Sequence, residues 1–197
     1  MGSCNSISYT SKNGINFLLD KKQLVAEVSS SPTATGDFFF KHSIRYHSQD
    51  YIIKSIESRS FIDNKQIKSI EFPQNSELEL IGDEAFKKSS LESITIPSKI
   101  IQIGQCTFSE CKNLKKVKFA NDSLLQSIGQ YSFAFTAIET IILPAHIKEI
   151  GEFSFHNCAK LKEVKIDTSS EFLTINGYAF AMSNVKKISI PAKIKEL

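Results

Sequence analysis

The segment Ile81-Gly82-Asp83-Glu84-Ala85-Phe86-Lys87-Lys88-Ser89-Ser90-Leu91-Glu92-Ser93-Ile94-Thr95-Ile96-Pro97 decides how this chain is read. An isoleucine stands five residues ahead of a phenylalanine, and a short L-x-x-I-x-I alternation then closes on proline. The frame returns along the chain. Phe61, Phe86, Phe108, Phe133, Phe155 and Phe180 are separated by 25, 22, 25, 22 and 25 residues. Ile56, Ile81, Ile103, Ile128, Ile150 and Ile175 precede them, and Ile67, Leu91, Leu114, Ile138, Leu161 and Val185 open the alternations. The longer units gain one residue between phenylalanine and anchor, and the rest in residues 74–79, 121–124 and 168–171. Insertions confined to loops, with the anchors in frame, are what a stacked array requires.

The alternation has period two and predicts a short strand with one buried face. Strands this far apart cannot form hairpins, so they stack in parallel through long returns, about 5 Å per coil. Pro73, Pro97, Pro144 and Pro191 follow the strands and end them, because proline has no N–H for a ladder. Gly82, Gly104, Gly129 and Gly151 mark the bend after the repeated isoleucine. The stretch before each phenylalanine, such as Asp83-Glu84-Ala85-Phe86, is expected to form a helical turn that carries the ring inward.

Units of the form Ile81-Gly82-Asp83-Glu84-Ala85-Phe86 … Leu91-Glu92-Ser93-Ile94-Thr95-Ile96-Pro97 resemble the leucine-rich repeats of the BspA-like surface proteins of protist parasites and of oral and gut bacteria. The resemblance covers residues 51–197, and Thr35-Gly36-Asp37 and Tyr51–Ile56 also look like the leader of such arrays. It implies a leucine-rich-repeat solenoid: a parallel β-sheet of one short strand per coil, with helical turns or loops on the other side, behind a small β-hairpin N-terminal cap. The expected organisation is a flexible N-terminus over 1–13 and a β-rich cap over 14–50. An array of six units, with the start of a seventh in Ile194-Lys195-Glu196-Leu197, fills 51–197.

Within the cap, strand-like runs lie at 15–19, 24–28, 38–40 and 44–46; the polar stretch 20–23 joins the first two and 47–50 leads the last into 51–53, which predicts hairpins at both places. Such a cap would cover the open end of the solenoid. Residues 29–35 are rich in Ser, Thr and Pro and read as a loop. The opening Met1-Gly2-Ser3-Cys4-Asn5-Ser6 matches the N-myristoylation pattern at Gly2, with Cys4 placed for a second acyl group. The same three opening residues also match a common expression scar.

Composition excludes several classes. The 197 residues are 41% hydrophobic and 23% charged, which is globular rather than disordered. A net charge of +3 does not point to nucleic acid. No apolar run approaches the ~20 residues of a membrane-spanning helix, and no basic-then-apolar leader opens the sequence. Location therefore divides between the cell surface, implied by the resemblance, and the cytoplasm. Cys111 and Cys158 share one frame, 47 residues apart, which puts them two coils or roughly 10 Å from each other. That is too far for a disulfide, and both read as small buried residues. His156 and Cys158 lack a second ligand pair, so no metal is expected. No G-x-S-x-G elbow, phosphate loop or dinucleotide fingerprint occurs, so neither a cofactor nor an enzymatic role is expected.

What remains is binding. The outward strand columns run Ser69, Ser93, Lys116, Thr140, Glu163, Lys187 and Glu71, Thr95, Lys118, Ile142, Lys165, Ser189. The later coils form a mixed basic and apolar patch: Lys116, Lys118, Thr140, Ile142, Glu163, Lys165 and Lys187 are the expected partner-binding residues, facing a protein or glycan with acidic groups. Lysines on a solvated strand face also serve solubility and edge protection. An interaction module of adhesion or recognition type is favoured. The alternative is an intracellular or membrane-tethered scaffold, attached peripherally through the acylated N-terminus.

Overall fold

The computed structural model describes residues 6–166 and 173–189. β1 (Ser6–Thr10), β2 (Asn16–Asp20) and β3 (Val25–Val28) form an antiparallel run in which each strand pairs with the next. β4 (Gly36–Phe39), β5 (Ser43–Tyr46) and β6 (Gln49–Ile56) follow, and β5 and β6 make a hairpin. From there long and short strands alternate. They are β7 (Ile67–Glu71), β8 (Leu80–Ile81), β9 (Ser93–Ile96), β10 (Gln102–Ile103), β11 (Lys116–Phe119) and β12 (Ser127–Ile128). β13 (Thr140–Leu143), β14 (Glu149–Ile150), β15 (Glu163–Ile166), β16 (Thr174–Ile175) and β17 (Lys187–Ser189) complete the series. The result is a β-solenoid of about seven turns with no helix among the described residues.

Each coil has three sides. The long strands carry the L-x-x-I-x-I alternation and stack in parallel. The short strands form a second parallel sheet, β10-β12-β14-β16, not foreseen from the alternation. It aligns the repeated isoleucines Ile103, Ile128, Ile150 and Ile175 in one column. The third side is the turn run that holds the phenylalanines. Successive rings from Phe61 to Phe180 stack at 5.0 to 5.3 Å and within 10° of parallel. The first five are fully buried. Stacked columns of aromatic and branched side chains thus make one continuous core, and each coil buries its apolar face only because its neighbours do.

The expected helical turn does not form. Glu84 and Lys88, two residues either side of Phe86, take left-handed φ of 56° and 60°, and equivalent pairs recur from Arg59 and Asp63 to Tyr178 and Met182. Such residues cost about 1–2 kcal/mol each, and coil-to-coil bonding is what offsets that. Glu84, Phe86 and Lys88 donate their N–H to Gln105, Thr107 and Ser109 of the following coil at 2.9, 2.9 and 2.8 Å. Ala85, Lys87 and Ser89 close bonds within their own turn. A helical turn would direct every N–H along its own coil and leave none for the next. The glycines also differ from expectation. Gly129 and Gly151 are not in the left-handed region; a Cβ on Gly151 would lie 2.6 Å from the Ile128 carbonyl oxygen. They permit close approach between coils.

The N-terminal region is both cap and coil. β3 runs parallel to β6, which runs parallel to β8, while β4 runs parallel to β7. Residues 25–39 therefore trace a complete coil without the repeat spacing. Asn64 ties it down: its buried amide donates to the carbonyls of Ser31 and Ala34, both at 3.0 Å, while its oxygen accepts from Gln66 and Ile67 N–H at 2.9 Å. The segment 1–13, read as flexible, contains β1, held because Ile7 and Tyr9 alternate onto the core and the Tyr9 ring meets Phe17 and Tyr46. Gly2, Cys4, Pro191 and the seventh-unit opening lie outside the described residues.

Candidate binding face

The long-strand side presents the expected residues, in two groups. On the sheet β13-β15-β17, Thr140 is in register with Glu163 and Lys187, and Ile142 with Lys165 and Ser189. Lys116 and Lys118 lie on β11, the edge of a different sheet, β4-β7-β9-β11, opposite Ser93 and Thr95. The single long-strand sheet implied by the repeat is interrupted between β11 and β13.

The interruption is confined to this side. Along the long strands, Glu92 N–H bonds Lys68 O at 2.6 Å, Lys115 N–H bonds Glu92 O at 2.9 Å and Lys162 N–H bonds Glu139 O at 2.9 Å. No corresponding bond joins Glu139 to Lys115 among the described residues. At the same junction β10 and β12 remain paired, and Cys106, Phe108 and Glu110 still donate to Gln130, Ser132 and Ala134. One side of the coil gapes while two stay laced.

A crevice of about 540 Å³ occupies the gap, within the range of ligand sites. Lys118, Phe119, Thr140 and Ile142 line it from the strands, and Asn121, Asp122 and Ser123 from the loop after β11. His146 also lines it. Ile142 is 60% exposed. The loop residues are the insertion that makes this unit longer, so the 25-residue period was the signal that could have located them; His146 had none.

The charges are unequal. Glu163 is shared by Lys165 at 3.5 Å and Lys187 at 3.8 Å, which dilutes both. Lys116 and Lys118 have no ion-pair partner among the described residues.

A second surface was missed. Tyr131, Phe153 and Tyr178 stack at 4.8 and 5.1 Å along the turn side, in the frame where earlier coils place Arg59, Glu84 and Cys106. Its period was visible in the sequence. Cys111 and Cys158 are buried, and their thiols donate to the carbonyls of Phe86 and Phe133 at 2.9 and 3.0 Å. Burial pushes the Cys111 thiol up to about 11. His156 packs edge-on against Phe135 and Phe153 instead of joining Cys158. Among the described residues no three His, Cys, Asp or Glu side chains converge as a metal site, and no helix is long and apolar enough to cross a membrane.

The sequence profile of the BspA type leucine-rich repeat region, in six copies, matches residues 27–101 and 79–197. The chain belongs to this family. The BspA-type match begins inside β3, where the structure also begins its coils. A leucine-rich cell surface protein from Faecalibacterium prausnitzii superposes with a TM-score of 0.75 at 24% identity, over 96% of this chain and 50% of that one. A leucine-rich repeat protein from Bacteroides ovatus gives 0.66 at 22% identity, over 98% and 54%. One from T. pallidum gives 0.68 at 20%, over 86% and 81%. This chain thus spans about half the length of the first two, and at these identities the likeness is one of fold. No curated protein matches the chain. A BspA-type repeat array is a protein-interaction architecture, generally a non-enzymatic binding scaffold.

Proposed function

We propose that this chain is a non-enzymatic adhesion or recognition module, cell-surface or membrane-associated, that binds a host or matrix protein or glycan through its long-strand face. The contact residues are Lys116, Lys118, Thr140, Ile142, Glu163, Lys165 and Lys187. The observation that carries this reading is the pair of lysines without an ion-pair partner among the described residues, Lys116 and Lys118, on the strand that faces exposed Ile142 across the break in the sheet. Free positive charge beside apolar surface favours a partner with acidic groups and adds steering to its approach. Immobilised full-length chain should capture such a partner from matrix proteins and glycans, more weakly as salt rises. Lys118→Glu combined with Lys165→Glu should weaken capture; unchanged binding in the variant and across salt overturns the assignment.

The second reading is a membrane-tethered or intracellular scaffold. It is favoured by the Met1–Ser6 pattern, with Gly2 as the myristoylated residue and Cys4 as a second acyl site. Intact mass of protein from its native cell decides this: an unmodified Gly2 removes the tether. Surface labelling of intact cells, against an internal control, separates the two locations.

A further inference from the structure

Charge is unevenly spread along the long-strand face. Beside β7 and β9, Lys68 pairs with Glu92 at 3.2 Å, and Glu71 adds a second carboxylate. From β11 onward the balance changes. Lys115, Lys116 and Lys118 stand on β11 or the residue ahead of it, and all three are exposed. Lys162 and Lys165 take the same places at β15, and Lys186 and Lys187 at β17, again exposed. On these strands, on β13 and on the residue ahead of each, the only carboxylates are Glu139 and Glu163. The positive excess of this strip is greater than the net +3 of the whole chain, so the rest of the molecule is net acidic.

We infer that the strip from β11 to β17 binds a linear sulfated glycan. This rests on the long-strand face being the contact surface and narrows its partner to one class.

The charge is available. Glu163 is shared by Lys165 and Lys187, and Lys115, Lys116, Lys118, Lys162 and Lys186 have no ion-pair partner among the described residues. Like charges gathered on one face repel, and a bound polyanion relieves that repulsion. The lysine stems start from fixed positions, because Lys162 N–H bonds Glu139 O and Lys186 N–H bonds Lys162 O, both at 2.9 Å. No arginine stands among them. An ammonium meets a sulfate or carboxylate as a point charge and needs no planar fork of acceptors.

The extent of the strip selects a chain over a single anion. Rings from Phe108 to Phe180 set the coil spacing at 5.2 to 5.3 Å. The lysines of β11 and β17, three coils apart, are therefore separated by about 15 Å along the solenoid. A ligand that meets both ends carries several charges along its length. Between the lysine groups β13 presents Thr140 and Ile142, one hydroxyl and one exposed aliphatic side chain. A glycan charged on alternate sugars lays an uncharged ring there, hydroxyls to Thr140 and C–H groups to Ile142. A nucleic acid strand would bring bases instead, and no outward position of these strands holds an aromatic side chain to stack them.

The test uses the full chain and a fluorescent heparin octasaccharide, read by anisotropy. Binding is expected, and it should weaken by about tenfold or more as salt rises from about 50 mM to about 300 mM. Lys115→Glu combined with Lys162→Glu should weaken it by about tenfold. Lys21→Glu combined with Lys22→Glu, an equal charge change in the turn between β2 and β3, should alter it by less than about twofold. The desulfated octasaccharide should not bind. Equal losses in the two double variants overturn the inference, as does equal binding of the desulfated sugar. Tighter binding of phosphatidylserine vesicles or of duplex DNA at the same residues also overturns it. If a captured matrix protein is weakened by Lys118→Glu with Lys165→Glu, yet is indifferent to heparinase and to excess heparin, the glycan inference fails while the broader face reading stands.

Discussion

The ring of Phe133 lies on the ring of Phe108 at 5.2 Å and 10°, across the same junction at which their long strands part. The aromatic column is therefore the continuous element there, and the sheet is not. Phe133→Ala leaves a cavity flanked by two half-stacked rings, so it should cost about 3–5 kcal/mol. Urea unfolding would measure the loss, and hydrogen exchange should show it concentrated in residues 127–166.

Asn64 joins the first complete repeat to the coil made from residues 25–39. Asn64→Ala leaves the buried carbonyls of Ser31 and Ala34, and two amides, without their partner. At about 1–3 kcal/mol per unsatisfied buried group, the total should exceed that of an ordinary surface change. Amides around residues 29–36 should lose protection before the remainder of the chain does.

Glu84 links two coils, accepting from Arg59 Nε at 2.6 Å and Lys87 Nζ at 2.5 Å. Hydrogen bonds from Lys87 and then Arg59 hold its carboxyl below the usual range, and the Lys87 ammonium is correspondingly raised. A depressed carboxylate adds stability above its unfolded value, about 4.3, and loses it as pH falls through the lower folded value. Glu84→Gln should be less stable than the parent at pH 7. The gap should close in acid; melts of both proteins from pH 7 to pH 3 would show it.

Burial raises all three described thiols, Cys111 to about 11. At pH 7.5 maleimide should modify half-buried Cys106 slowly, and leave Cys111 and Cys158 untouched until the protein unfolds. Peptide mapping after timed labelling reads each site separately.

The core was legible because period, not propensity, encodes it. Ile103 recurring before Phe108, and Ile128 before Phe133, fixed both columns without any coordinates. The short strands escaped because two residues such as Leu80 and Ile81 carry no measurable alternation. The left-handed turns escaped because Glu84 and Lys88 are ordinary helix formers, and only bonds to the next coil override that preference. Residues 25–39 lacked the spacing that marked the other coils. Of the face, the outward columns around Ile142 and Lys165 were readable from parity alone. The parting of β11 from β13 was not, since it depends on main-chain pairing that no side chain announces.

The turn-side amides point one way: each coil donates to its successor and accepts from its predecessor. A coil without its successor would leave this row of N–H groups to water, so on the turn side each added layer completes the main-chain bonding of the layer before it.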